Sequence, residues 1–171
     1  MKRHIAAAVF VFVSFGDLIA QAPKAGAADP SLGTWALNVQ RSKLPGPPQQ
    51  AFIEKYELRP DGFIISTRSV IAGDGTPSFE QAAFKYDGKD YEWWDSTTLA
   101  EFLASRKRTP KTLSVKAVDA YTVEYAGKQA GKTIVTGKRT VSKDGKTMTF
   151  TAKVLDPQGK WIDVEGVFEK K

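Results

Sequence analysis

The chain has 171 residues and a formal net charge of +6, with one histidine and no cysteine. Without cysteine there are no disulfides, thiol nucleophiles or lipid-anchored cysteine, so in an oxidising compartment the hydrophobic core alone must hold the fold. The basic excess is mild, and the lysines alternate with threonine, valine and aspartate instead of forming a dense stripe. We therefore expect no nucleic-acid partner.

The first residues have the order of a cleavable signal peptide. A positive segment, residues 2–4, precedes an apolar run at residues 5–15, which is shorter than the ~20 apolar residues needed to span a bilayer. Residues 25–27 then form an A-x-A cleavage site. A second such site is followed by Pro23, which signal peptidases tolerate poorly, so we expect cleavage after Ala27. The alternative is a buried N-terminal helix of the domain.

Cleavage at this point leaves residues 28–171 as one domain of net charge about +4, because residues 1–27 carry a net +2. We expect a periplasmic or secreted domain without an integral membrane segment. The only histidine, His4, leaves with the signal peptide. A domain without histidine and cysteine lacks Ser-His-Asp and Cys-His nucleophilic sites and the usual zinc and transition-metal ligands. We therefore expect no enzyme activity, catalytic residue, cofactor or metal.

The first part of the domain predicts five strands separated by turns. Apolar and polar residues alternate within each predicted strand, and the turns carry proline, glycine and aspartate. The loop at residues 41–50 contains the run Pro45-Gly46-Pro47-Pro48, which is incompatible with regular structure. The predicted strands are residues 32–39, 51–58, 63–71, 78–86 and 91–95.

A short helix and five further strands follow. Leu99, Phe102 and Leu103 have helical spacing, and Ser96 or Thr97 can cap the start of the helix. Alternation of apolar and polar residues then resumes and continues to the end of the chain. The predicted helix covers residues 99–106, and the predicted strands cover residues 111–118, 121–128, 132–142, 147–155 and 161–168.

Ten short strands joined mostly by tight turns predict an antiparallel meander. Closure of such a meander removes its exposed edges. We therefore predict an all-β fold, an antiparallel up-and-down β-barrel of about eight to ten strands with one short helix. A sandwich of two sheets is the alternative.

Several runs give the sequence a family resemblance. Residues 33–38 read G-T-W-A-L-N, Ser42-Lys43 and a Pro/Gly-rich loop follow, and residues 139–149 read R-T-V-S-K-D-G-K-T-M-T. These runs resemble a group of small secreted bacterial lipocalin-like proteins of unassigned function. The G-x-W pattern on the first strand is similar to the opening signature of lipocalins and related calycin barrels. The resemblance implies a calycin-type β-barrel.

The same resemblance implies structural roles at one end of the barrel. Trp35, which follows Gly33 in the G-x-W pattern, would plug that end. An arginine from a late strand would cover the tryptophan, and Arg139 is the candidate. The alternative is that both are ordinary core and surface residues.

Residues 91–95 concentrate aromatic side chains that also carry polar N–H and O–H groups. We interpret Trp93, with Tyr91 and Trp94 beside it, as the candidate apolar contact for a ligand at the barrel opening opposite Trp35. The following helix would act as a lid. The alternative is that one tryptophan lies in the core and the other packs under the helix.

Polar side chains on otherwise apolar strand faces are candidate interior anchors for a ligand. Arg68 and Tyr56 have this placement. Because a buried arginine is costly unless it is paired, an interior Arg68 implies an acidic ligand or an internal carboxylate partner. The alternative is that Arg68 points to solvent.

Two local patterns resemble functional motifs, but the sequence favours a structural interpretation of both. The run at residues 127–133 resembles a phosphate-binding loop, but its spacing is one residue short and a strand follows it, so it predicts a hairpin turn. The acidic residues near the aromatic cluster could pair for glycoside hydrolysis, although acids beside turns are usually solvated. These residues are Asp87, Asp90, Glu92 and Asp95.

A barrel of this size encloses room for one small molecule. We expect the protein to bind or carry a small hydrophobic or amphipathic ligand in the periplasm or outside the cell. The alternative is a non-catalytic envelope interaction module or an inhibitor of a secreted protease. That alternative requires large side chains to fill the interior, for which the candidates are Phe63, Phe84, Met148 and Phe150. The sequence indicates no oligomeric state.

Overall fold

The computed structural model describes residues 29–171, which form a closed barrel of ten antiparallel strands. Each strand pairs with its neighbours in the chain, and pairing of the first strand with the last closes the barrel. The strands are β1 (Gly33–Leu37), β2 (Ala51–Leu58), β3 (Ile64–Ile71), β4 (Pro77–Phe84), β5 (Asp87–Asp95), β6 (Lys111–Ala117), β7 (Thr122–Gln129), β8 (Lys132–Val141), β9 (Thr147–Leu155) and β10 (Trp161–Lys170). The prediction of an up-and-down barrel is confirmed, and the two-sheet alternative is excluded.

The expected signal peptide, residues 1–27, lies outside the described residues. Within residues 29–171, no helix is both long enough and apolar enough to cross a bilayer.

Alternation of side chains decides which residues fill the barrel. In β9, Met148 and Ala152 are buried, whereas Thr151 and Lys153 between and beside them are exposed. Successive side chains of a strand point to opposite faces, so the apolar set of each strand enters one shared interior. The turns match the sequence signals as well: Ala130 and Gly131, at φ of 48° and 78°, join β7 to β8 in the predicted hairpin.

The first strand is shorter than predicted because an asparagine redirects the chain. β1 ends at Leu37, and the side chain of Asn38 accepts a hydrogen bond from the backbone N–H of Arg41. This contact caps a short 3-10 helix, Val39–Arg41, where the sequence predicted strand up to residue 39. β5 is longer than predicted, since it begins at Asp87 with an irregular register against β6.

The predicted helix is present as α1 (Ser96–Ser105), but its cap differs from the prediction. Asp95, the last residue of β5, accepts a hydrogen bond of 2.8 Å from the backbone N–H of Thr98. Aspartate at this position satisfies a free N–H of the first turn, so Ser96 and Thr97 are not the cap. Leu103 does not share in the packing, since it is 61% exposed.

The two ends of the barrel are built differently. Tyr86 follows β4 and Asp95 ends β5, so antiparallel pairing places them at opposite ends. Residues 29–31 reach Tyr86 and close the first end, which we call the plugged end. Helix α1 follows Asp95 at the other end, which we call the helix end.

Trp35 occupies the plugged end, as the G-x-W resemblance implies. It is 0% exposed, and its indole N–H donates a hydrogen bond of 2.7 Å to the backbone oxygen of Ser31. Gly33 precedes it at φ +114°, a conformation that favours glycine. An added Cβ at Gly33 would also lie 3.2 Å from the side chain of Lys170. The glycine of the motif is therefore required by the backbone.

Replacement of Trp35 by alanine should lower the free energy of unfolding by about 3–5 kcal/mol, because it opens a large cavity in the core. Trp161 is 43% exposed and offers a matched control. Trp161→Ala should cost about 1 kcal/mol or less. Urea unfolding followed by circular dichroism measures both values. Equal losses for the two variants would contradict the role of Trp35 as the plug.

Candidate functional site

The barrel encloses a cavity of about 100 Å³. Its walls come from eight strands, β2 to β9, so it lies inside the barrel and not between outer loops. Most of the lining is apolar or aromatic, and four charged side chains reach it. The apolar lining includes Trp93, Leu113, Val115, Val123, Val135 and Phe150. The charged residues are Glu54, Arg68, Glu80 and Arg139.

Three of these charges form a partly buried network across neighbouring strands. Glu54 on β2 is paired in register with Arg68 on β3, and Arg68 with Glu80 on β4. The Nε and Nη2 atoms of Arg68 donate to Glu54 at 2.8 and 2.7 Å, and its Nη1 donates to Glu80 at 3.0 Å. Arg68 thus points inward, and an internal pair of carboxylates binds it.

The environment of Arg68 keeps it charged. Burial alone would lower the pKa of this guanidinium, but the carboxylates of Glu80 and Glu54 outweigh that effect and raise its pKa. The rings of Phe52 and Phe150 lie 5.3 and 5.5 Å from its central carbon. Two carboxylates and two aromatic faces therefore surround one cation.

Tyr56 lies beside this network and is 7% exposed. Its hydroxyl donates a hydrogen bond to the second carboxylate oxygen of Glu54. Burial raises the pKa of Tyr56, and the nearby Glu54 carboxylate raises it further. The phenol is therefore neutral at physiological pH and acts as a donor. Both oxygens of Glu54 are thus occupied, one by Arg68 and one by Tyr56.

Arg139 covers Tyr56 and not Trp35. Its guanidinium carbon lies 4.1 Å from the Tyr56 ring centroid, and its Nη2 donates to the Tyr86 hydroxyl at 2.8 Å. The Tyr86 hydroxyl donates in turn to Asp29 at 2.7 Å. The cation over Trp35 is instead Lys170, at 5.1 Å from the ring. The expectation that Arg139 is the covering arginine for Trp35 is therefore corrected.

Of the three clustered aromatic residues, the structure brings Trp93 into the cavity. An added Cβ at Gly127 would lie 2.8 Å from the Trp93 ring, so the glycine leaves room for the indole against β7. Trp94 alternates to the outer face, where it packs against Phe102 of α1 at 6.1 Å between ring centroids. This arrangement matches the alternative in which one tryptophan packs under the helix.

Tyr91 also lies away from the cavity lining. Its ring packs edge-on against Phe63 at 5.6 Å, and its hydroxyl donates to Asp87 at 2.9 Å. Phe63 therefore does not fill the interior, whereas Phe84 and Met148, at 1% and 0% exposure, do.

Glu54, Glu80 and Tyr125 are among the cavity residues that sequence reasoning missed. Glu54 and Glu80 occupy inward positions of β2 and β4, and the signal that selected Arg68, a charge on a largely apolar face, also applies to Glu54. Tyr125 stacks on Phe150 with 5.4 Å between ring centroids. An added Cβ at Gly137 would lie 2.4 Å from the Tyr125 hydroxyl, and no local sequence signal reports this long-range contact.

The acidic residues near the aromatic cluster do not form a carboxylate pair. Each one forms a salt bridge with a different basic residue: Asp87 with Lys89, Asp90 with Lys128, Glu92 with Arg108 and Asp95 with Lys111. Among residues 29–171, no group of three or more histidine, cysteine or acidic side chains is arranged to hold a metal ion.

Comparison with known proteins identifies no family. No protein-family model matches the chain, and no curated protein matches it in sequence.

A double-mutant cycle tests the partly buried charge network. Arg68→Met leaves two carboxylates without their cation and should cost about 2–4 kcal/mol, somewhat less than a fully buried pair because Arg68 retains some exposure. Glu54→Gln should cost a similar amount, and the double variant less than the sum. The exposed pair Lys153–Asp163 is the control, with a coupling of about 1 kcal/mol or less. Additive losses at Arg68 and Glu54 would contradict the network.

One buried and two half-buried tyrosines should make the protein sensitive to alkali. Burial raises the pKa of Tyr56 and Tyr125, and raises that of Tyr86 to about 12. Above the ordinary tyrosine pKa of about 10, the unfolded chain releases protons that the folded chain retains. The free energy of unfolding should therefore fall with rising pH from that point. Tyr56→Phe should reduce this slope in urea unfolding, and an unchanged slope would refute the assignment.

Proposed function

We propose that this protein binds one small amphipathic molecule inside its barrel. The observation that carries the proposal is the interior cavity, which combines apolar walls with a few convergent polar groups. That combination is typical of small-molecule sites, where apolar walls supply affinity and a few polar groups fix orientation.

The size of the cavity limits the ligand. Sites for drug-sized molecules occupy ~300–1,000 Å³, whereas a cavity of ~150 Å³ accommodates benzene. At about 100 Å³, the cavity is smaller than either, so we infer a ligand no larger than a single ring or a short branched chain. Long-chain fatty acids and retinoid-like molecules exceed this space.

The pattern of exposure indicates where the ligand would enter. Tyr56 and Arg139 are 7% and 6% exposed, whereas the side chains of Arg68 and Glu80 are 26% and 32% exposed. Solvent therefore reaches the cavity from the side of Arg68 and Glu80. The N-terminal residues and Trp35 close the plugged end, so access through the helix end agrees with these exposures.

We place the site in an exported protein. The order of charge, apolar run and A-x-A site in residues 1–27 supports a periplasmic or secreted location. The resemblance of the G-T-W-A-L-N run to secreted bacterial lipocalin-like proteins supports the same location. The closed up-and-down barrel is consistent with that kinship.

A second candidate function is a non-catalytic interaction module of the envelope. The degree of filling favours it, because four large side chains are almost fully buried and leave only the small cavity. These residues are Trp35, Phe84, Met148 and Phe168. In that case the outer surface of the barrel would carry the function.

Tryptophan fluorescence distinguishes the two functions, because Trp93 lines the cavity and Trp94 lies outside the barrel. We expect one-ring amphipathic probes such as benzyl alcohol and benzamide to change the fluorescence of the wild type and of Trp94→Phe. The change should be largely lost in Trp93→Phe, the matched variant. Native mass spectrometry of the exported protein reports both the loss of residues 1–27 and any molecule that co-purifies. No bound molecule and no response to any probe would leave the interaction module as the function.

A further inference from the structure

Arg139 differs from the other interior arginine in its counter-charges. Arg68 contacts two carboxylates directly. Arg139 is 6% exposed, yet within residues 29–171 no carboxylate lies within salt-bridge distance of it. Two acidic groups are linked to it through intervening hydroxyl groups, Asp29 through Tyr86 and Ser31 and Glu54 through Tyr56. A buried guanidinium without a direct anion is costly.

The donors of Arg139 are only partly used. A guanidinium has five N–H donors. The Nη2 atom donates to Tyr86 at 2.8 Å and, at 3.5 Å, to Ser31. None of the Arg139 nitrogens is both buried and without a partner.

Arg139 also lines the main cavity. Arg139 lines two cavities, and the one at the plugged end has a volume of about 10 Å³, enough for about one water molecule. Only the cavity of about 100 Å³ can receive a ligand group at Arg139. The aromatic rings of Trp93, Tyr125 and Phe150 share its lining.

We propose that Arg139 recognises the carboxylate of a small ligand whose ring or branched chain packs against these aromatic side chains. Guanidinium binds carboxylate through parallel charge-assisted hydrogen bonds, which are stronger than neutral ones. Glu54 competes weakly for Arg139 because Arg68 and Tyr56 already occupy its oxygens. The carboxylate of the ligand would supply the direct counter-charge that Arg139 lacks in the protein itself. This inference rests on the proposed function and names its ligand class.

Calorimetric titration with benzoate and benzamide tests the inference, because the two probes share shape and differ in charge. We expect the purified wild type to bind benzoate at least about tenfold more tightly than benzamide, a difference of about 1.4 kcal/mol. Arg139→Gln should remove this preference while benzamide binding persists. Arg139→Lys should keep part of it, since it keeps the charge without the planar pair of donors. The exposed Arg59 provides the control variant Arg59→Gln, which should behave as the wild type.

The outcomes separate this inference from the proposed function. Equal affinity for benzoate and benzamide overturns the carboxylate assignment but leaves a small-molecule site. A preference for benzoate that survives in Arg139→Gln assigns recognition to another residue and also overturns it. Failure of every probe to bind overturns both proposals. If Arg139→Gln does not fold, Arg139→Lys decides, because an undiminished preference for benzoate in that variant overturns the assignment to Arg139.

Discussion

Closure of the barrel is the constraint on which the rest of the structure depends. Pairing of β1 with β10 places Trp35 opposite Lys170 and removes both free edges of the sheet. Every strand then contributes alternate side chains to a single interior of limited volume. The interior must accommodate the inward-facing side chains of all ten strands, so a large side chain at one position requires a small one nearby. Gly127 beneath Trp93 and Gly137 beneath Tyr125 meet this requirement.

The same constraint explains why the interior charges occur as a network. A charge pointing inward from one strand has only limited access to water inside the closed sheet, and its partners here come from adjacent strands. Glu54, Arg68 and Glu80 follow one another across β2, β3 and β4 in direct register. A one-residue slip of any strand would turn its charge to the outside and leave the others unpaired. The network therefore specifies strand register as well as the polarity of the cavity.

Sequence reasoning predicted most of the fold because its signals are local. Alternation and turn residues mark each strand within a few positions, and ten strands leave few ways to bury their apolar faces. The predicted cap of α1 was wrong by one residue because Asp95 is both the last residue of β5 and the N-cap of the helix. The sequence pattern of either element alone does not show this double role. Alternation alone could have separated Trp93 from Trp94, since neighbouring residues of a strand face opposite sides.

The candidate site was only partly predictable, since its contacts depend on register. Arg68 and Tyr56 were identified as polar residues on apolar faces, but their partners come from other strands. Whether Arg68 meets solvent, a ligand or a carboxylate is decided by the residues opposite it on β2 and β4. The place of Arg139 over Tyr56 is equally non-local, because β8 and β2 lie on different sides of the barrel.

Stability is a weak explanation for charges inside this barrel. Replacement of a buried ion pair by well-packed apolar residues is often neutral or stabilising, so such a network is weak evidence of a contribution to the fold. The barrel nevertheless contains two interior guanidinium groups, and their contacts differ. Carboxylates neutralise Arg68 directly, whereas phenols contact Arg139 and leave its charge without a direct anion. A fold that can neutralise one interior arginine so fully has the means to do the same for the other. The proposed carboxylate ligand would supply the direct counter-charge that Arg139 lacks in the protein itself.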